Sequence, residues 1–302
     1  MNIRDLEYLV ALHEHRHFGR AAEACYCSQP TLSTQLRKLE GELGVELVER
    51  GARQVLFTSV GERVVRRARR ILGEAGEIKE IARQAQSPHS GSIRIGVFPT
   101  LGPYFLPQAI GVLTDGFPDL EILLVEEKTE DLLTQLRAGV IDAALVALPQ
   151  SDPTLHVEPL FREEFVLAAP RNHPLADLPG PVKSAQAAED LLLLTDGHCL
   201  RDQALEVCRM SGVQERKGFQ ATSLETLRLM VAAGVGVTLL PRLSVTPPVV
   251  PNPGIVLREL EAPTPYRDIA LVRRQSTVQR DLIDELTGVL RSALPDAVRP
   301  LS

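Results

Sequence analysis

The chain has no tryptophan, few aromatics (4%) and only four cysteines in 302 residues. So few thiols do not make a disulfide-stapled scaffold of the small secreted kind. No apolar run approaches the length of a transmembrane helix. The opening Met1-Asn2-Ile3-Arg4-Asp5 passes straight into an amphipathic pattern without an apolar signal segment. These absences predict a cytoplasmic protein, where a disulfide is more often sensory or catalytic than structural. There is no excess of positive charge either. A net charge of −6 excludes binding of nucleic acid along the whole surface. The charge is uneven, however: residues 1–90 carry 14 Lys/Arg against 12 Asp/Glu (+2), and the rest 19 against 27 (−8). A polyanion would therefore meet the first segment, and only locally.

The first 60 residues have a helical, short-looped pattern. Leu6, Leu9, Val10 and His13 follow helical spacing, and a second helix runs from about Phe18 to Cys25. After a tight Tyr26-Cys27-Ser28 connection, a third helix begins near Gln29-Pro30, with proline suited to the first turn. Its apolar stripe is Leu32, Leu36, Leu39 and Leu43, which leaves Thr31, Thr34, Arg37 and Lys38 outside. Two helices joined by a short turn, the second polar outside, predict a helix-turn-helix. Val45 to Phe57 predict a small β-hairpin wing carrying Arg50 and Arg53.

From Ser59 the pattern changes. Ser59-Val60-Gly61-Glu62 has the form of a capping box. Val64, Ala68, Ile71, Ala75, Ile78, Ala82 and Ala85 then alternate four and three apart, the seam of a dimerising helix. Ser87-Pro88-His89-Ser90-Gly91-Ser92 ends it as a hinge. Beyond, strands alternate with helices. Strands are predicted at 93–98, 120–126, 143–148, 165–169, 191–195, 235–240 and 269–272, and helices at 103–115, 129–138, 200–210, 223–233 and 277–294. This is an α/β arrangement with largely parallel sheets, in two halves with a ligand cleft between them. The division predicted is a DNA-binding domain (1–58), a linker helix (59–87), a hinge (88–91) and a regulatory domain (92–302). The regulatory domain splits into subdomain I (about 92–161 and 268–302) and subdomain II (about 162–267).

The cysteines carry the chemistry. Cys199 lies between His198 and Arg201, two potential cations that favour a thiolate. Asp196-Gly197 has turn character and Leu200 starts a helical pattern, which places Cys199 at a helix N-terminus that favours negative sulfur. Cys208 follows nine residues later, on the opposite helix face and roughly 13 Å away, whereas a disulfide requires Cα atoms within about 7 Å. Joining these two cysteines would take the helix apart. Cys25 and Cys27, with His13, His15 and His17, have neither zinc-ligand spacing nor a convergent geometry, so neither a metal nor a cofactor is expected.

Phe18, Ala21-Ala22, Ser28-Gln29, Leu32-Ser33, Gln35, Leu39-Glu40, Leu43-Gly44, Leu47, Arg50, Arg53, Thr58 and Gly61 resemble the N-terminal signature of LysR-type transcriptional regulators. Asn2 to Leu12, Gly102-Pro103-Tyr104, Asp196 to Ala204, Ser223 to Leu227 and Val231 to Pro241 are similar to the peroxide-sensing OxyR group of that family. The resemblance covers essentially the full chain, departing at Cys27 and at Gly218, where a histidine is usual in the group.

The resemblance implies a winged helix-turn-helix, a linker-helix dimer and a regulatory domain of periplasmic-binding-protein type. It also implies a homotetramer that binds promoter DNA and recruits RNA polymerase when oxidised, activating antioxidant genes. Hydrogen peroxide would be the signal, Cys199 the sensing sulfur and Cys208 its resolving partner, with cellular thiol reductants resetting the pair. Thr100 and Thr129, each after a strand end, would donate hydroxyls to peroxide, and His198, Arg201 and Asp202 would support the thiolate. The plainer role for Thr129 is the N-cap of helix 130–138. On DNA, Gln29, Pro30, Thr31, Ser33 and Thr34 would face base edges, and Arg37, Lys38, Arg50 and Arg53 phosphates or the minor groove. Arg267, after Tyr266, is left open. Two rival readings stand beside this one: a LysR regulator of a small organic effector, and a thiol peroxidase. The peroxidase does not explain residues 1–87.

Overall fold

Helix α1 (Ile3–His15) starts in a reciprocal cap, in which Asn2 accepts from the Asp5 amide and Asp5 from the Asn2 amide. It belongs to a computed structural model that describes residues 1–49, 55–84, 90–183, 191–195, 200–201 and 220–301. The chain forms two units, one of Met1–Ser87 with Gln135–Val140 and one of Pro88–Thr134 with Ile141–Ser302.

In the first unit, α2 (Phe18–Ala24) is capped by the His17 ring, which accepts from the Gly19 and Arg20 amides. The N-cap of α3 (Gln29–Leu43) is Ser28, Pro30 lies in its first turn, and it ends at left-handed Gly44. Leu6, Leu9, Leu12, Leu32, Leu36 and Leu39 close the core between the three helices. Leu43 does not join them: it is 39% exposed, past the point where α1 and α2 can cover it. In the wing, Val48 bridges Phe57 and the Glu49 amide donates to Leu56, whereas Arg50 and Arg53 lie outside the described residues.

Helix α4 (Ser59–Gln84) is capped one residue earlier than expected. The Thr58 hydroxyl accepts from the Gly61 amide at 2.9 Å. Glu62 is taken up elsewhere, by His13 (2.9 Å) and Arg16 (3.1 Å) of the α1 end. Burial alone would raise the Glu62 carboxyl, but His13 and Arg16 outweigh it and hold it below the ordinary range. Gly61 is obligatory, because a Cβ there would stand 2.1 Å from the Leu47 carbonyl oxygen. Gly61, Val65 and Ala68 are buried and Val64 and Leu72 pack beside them, so the first two residues of the expected seam, Val64 and Ala68, serve their own domain. Further along, Ile71 (41%) and Ile78 (69%) stand exposed.

In the second unit, β1 (Gly91–Val97), α5 (Gly102–Gly116), β2 (Leu120–Glu126), α6 (Thr129–Arg137) and β3 (Ala143–Ala147) form two parallel crossovers, with β1 between β2 and β3. A long β4 (Leu155–Pro170) then pairs antiparallel with the returning β9 (Tyr266–Arg274) over Leu155–Glu164. Its far end, Phe165–Pro170, pairs with β7 (Thr238–Pro241) and β8 (Ile255–Arg258). Between them lie β5 (Leu193–Leu194), parallel to β6 (Gln220–Ala221), and α7 (Leu224–Ala232). Helix α8 (Arg280–Ser292) and β10 (Arg299–Pro300) follow. The sheet is mixed, not largely parallel as expected. The chain leaves along β4 and comes back along β9, so these neighbours run in opposite directions, and β9 joins β3 antiparallel as well.

Candidate redox site and nucleic-acid interface

The β4/β9 crossover sets the site. Glu163 and Arg267 face each other in register, and both side chains are fully buried. Arg267 Nε donates to Glu163 Oε2 at 2.7 Å, and the Leu243 amide donates to Glu163 Oε1 at 2.7 Å. The guanidinium also reaches the loop after β1, where Nη1 donates to Thr100 Oγ1 (2.9 Å) and Nη2 to the Thr100 carbonyl (3.0 Å). The Phe98 ring lies 5.2 Å from it. A buried charge with a carboxylate and two oxygen acceptors is a satisfied one. Thr100, 2% exposed, spends its oxygen as an acceptor for Arg267, which leaves its own O–H free to donate elsewhere.

Thr129 stands after the neighbouring strand end. It is the first residue of α6, not its cap, and its Oγ1 is buried with no hydrogen-bond partner. A buried hydroxyl without a protein partner is costly, and a water or a small polar ligand is what would satisfy it. Next to these strand ends, a Cβ on Gly102 would come within 2.8 Å of Glu126 Oε2, and burial raises the Glu126 carboxyl. From the other half, Arg201 Nη1 donates to the Leu194 carbonyl at 3.1 Å and Leu200 is buried at 2% exposure. His198, Cys199, Asp202, Cys208 and Gly218 lie outside the described residues.

Sequence reasoning left Arg267 undecided and did not single out Glu163. A single arginine in a strand carries no periodic signal, and its partner is 104 residues away. Only the pairing of β4 with β9 brings them together.

At the other end of the chain, Gln29, Pro30, Thr31, Thr34, Arg37 and Lys38 are exposed on α3, and Ser33 is half-buried. Ser28 and Thr31 hydroxyls share a hydrogen bond of 2.8 Å at the start of the helix.

Residues 3–62 match the bacterial regulatory helix-turn-helix protein family of lysR type, and residues 86–295 the LysR substrate-binding domain. The Escherichia coli K12 protein described as DNA-binding transcriptional dual regulator OxyR is 49% identical over 97% of this chain and 96% of its own. Full-length OxyR C199D from Pseudomonas aeruginosa is 36% identical, with a TM-score of 0.80 over 100% of this chain and 98% of that one. The reduced and oxidised forms of OxyR match at 42% and 44% identity, with TM-scores of 0.62 and 0.61. They cover 69% and 68% of this chain and 98% and 96% of theirs. The chain belongs to the LysR family of helix-turn-helix transcriptional regulators and, within it, to the OxyR group.

Proposed function

We propose that this regulator binds promoter DNA through α3 and the wing and senses hydrogen peroxide at Cys199, switching on antioxidant genes when oxidised. The carrying observation is the pair of strand-end hydroxyls: Thr100, held by buried Arg267, and Thr129, buried without a partner. The thiolate attacks one peroxide oxygen and the O–O bond breaks. Negative charge moves to the departing oxygen, which leaves as hydroxide and takes up a proton. Hydroxyl donors placed where that charge grows lower the barrier. Cys199 is left as a sulfenic acid. The Cys208 sulfur then attacks it, water leaves and a Cys199–Cys208 disulfide forms. His198, Arg201 and Asp202 are proposed to hold the thiolate. The disulfide's shorter span is what rearranges the segment after β5.

Gln29, Pro30, Thr31, Ser33 and Thr34 are proposed to face base edges, and Arg37, Lys38, Arg50 and Arg53 the phosphates or the minor groove. The proposed division is residues 1–58, 59–87, 88–91 and 92–302, the last in two subdomains joined through β4 and β9. RNA polymerase as partner, cellular thiols as reductants, a cytoplasmic location and a tetramer built from dimers complete the proposal. Because each chain is consumed once per reduction, this is a sensor and not an enzyme.

Exposed Ile71 and Ile78 support α4 as the dimer contact. Ile78→Glu is expected to raise the dimer dissociation constant at least about 100-fold, read by sedimentation equilibrium, with the monomer fold intact. The function itself is tested by in vitro transcription from a promoter fragment selected by the protein. A peroxide pulse raises transcription with the wild-type protein and has no effect with Cys199→Ser. No response from the wild-type protein would assign the cleft to a small organic effector instead, and an equal rise from both would move the sensing away from Cys199.

A further inference from the structure

The turn between α2 and α3 contains an unusual residue. Tyr26 has a left-handed backbone (φ 52°) and is 96% exposed. The left-handed position after a helix is normally given to glycine or asparagine, because a Cβ is crowded there. The turn is held rigidly from both sides. The Cys27 amide donates to the Ala22 carbonyl at 2.9 Å, the Tyr26 amide to Glu23 at 3.0 Å, and Arg4 to the Cys25 carbonyl at 2.6 Å. Cys25 is buried and Cys27 half-buried against the same core, so the backbone between them has one way to turn and the phenol is driven outward.

The other three tyrosines are all used by the fold. Tyr8 is buried under Arg4, Tyr104 packs against the regulatory core, and Tyr266 lies 3.5 Å beneath the Arg162 guanidinium. The Tyr26 side chain touches nothing that would repay a strained backbone. It stands two residues before the cap of α3, on the edge of the helix-turn-helix that faces the DNA backbone when the helix N-terminus enters the major groove. A neutral O–H at that edge has one abundant acceptor, a phosphate oxygen.

We propose that Tyr26 is a DNA-backbone contact, its phenolic O–H donating to a phosphate at the rim of the groove that α3 enters. The inference rests on α3 being the groove-entering helix. Because the donor is neutral, the contact releases no counterion, so its loss weakens binding without changing the salt slope.

The test is fluorescence anisotropy of the full-length protein on a duplex it selects from a random library, over a range of salt. Tyr26→Phe and Tyr26→Gly are both expected to weaken binding about tenfold with an unchanged salt slope. Tyr26→Gly is expected to melt at or above the wild-type temperature, since glycine relieves the turn. Arg37→Ala, the charged comparison, is expected to lower the slope by about one. Binding by Tyr26→Phe within twofold of wild type, or a loss accompanied by a lower slope, would overturn the contact. Gln29→Ala separates the underlying reading: if it binds like wild type, α3 does not enter the groove and the Tyr26 contact falls with it.

Discussion

Thr129→Val is expected to slow oxidation of Cys199 by peroxide about 10- to 100-fold while leaving the reduced protein as stable as wild type or more so. Valine has the same shape as threonine, so the packing at the start of α6 is kept. The oxygen it removes is already buried and unpartnered, and losing such a group relieves a desolvation cost. A hydroxyl that is a liability in the resting fold and an asset in the reaction gives opposite signs in the two measurements. Thr100→Val differs, because the Thr100 oxygen accepts from Arg267 Nη1 and its removal strands a buried N–H. That variant is expected to lose both rate and stability. Timed alkylation of Cys199 after peroxide addition, together with thermal unfolding of the reduced protein, reads both quantities. Wild-type kinetics in Thr129→Val would remove that hydroxyl from the peroxide site.

Arg267→Ala is expected to have the largest effect on folding of any single change at the site. Glu163 would be left fully buried without its cation, with only the Leu243 amide to hold it. Breaking one side of a buried pair costs about 3–5 kcal/mol. For a regulatory unit of this size the melting temperature falls by roughly 10 °C. Oxidation of Cys199 is expected to slow as well, since Thr100 loses the donor that fixes its orientation. Removing both charges together, as Arg267→Met with Glu163→Leu, should recover much of the stability but not the rate. Calorimetry of the reduced single and double variants checks this. Additive losses in the pair would mean that the two charges act independently of each other.

The two ends of the chain differ in how far their sequences reveal them. In α1 to α3 the contacts are local, so the spacing of Leu32, Leu36 and Leu39 and the capping residue Ser28 are enough to place a helix and its polar face. Leu43 continues the spacing but lies beyond the neighbours that could bury it, a tertiary fact that periodicity does not contain. In α4 the expected seam divides along its length, because one helix serves its own domain at Val64 and Ala68 and leaves Ile71 and Ile78 uncovered further along. Thr100 and Thr129 are legible because they follow strands whose apolar runs mark where each strand ends. The crossover is different. Expected strand 165–169 is the far third of β4, whose nearer part, with alternating and polar residues such as His156 and Glu158, has no buried-strand pattern. Edge strand β8 is short and mostly half-buried and β10 is two exposed residues, so neither has a buried-strand pattern. The Arg267–Glu163 pair depends on those strands, and so it emerges only from the fold.

Peptide mapping by mass spectrometry after a brief, near-stoichiometric peroxide pulse, with free thiols alkylated before digestion, tests the central claim most directly. The account predicts rapid appearance of a Cys199–Cys208 bridge that dithiothreitol reverses, with Cys25 and Cys27 remaining alkylatable. Cys199 that stays fully alkylatable throughout the pulse would contradict it.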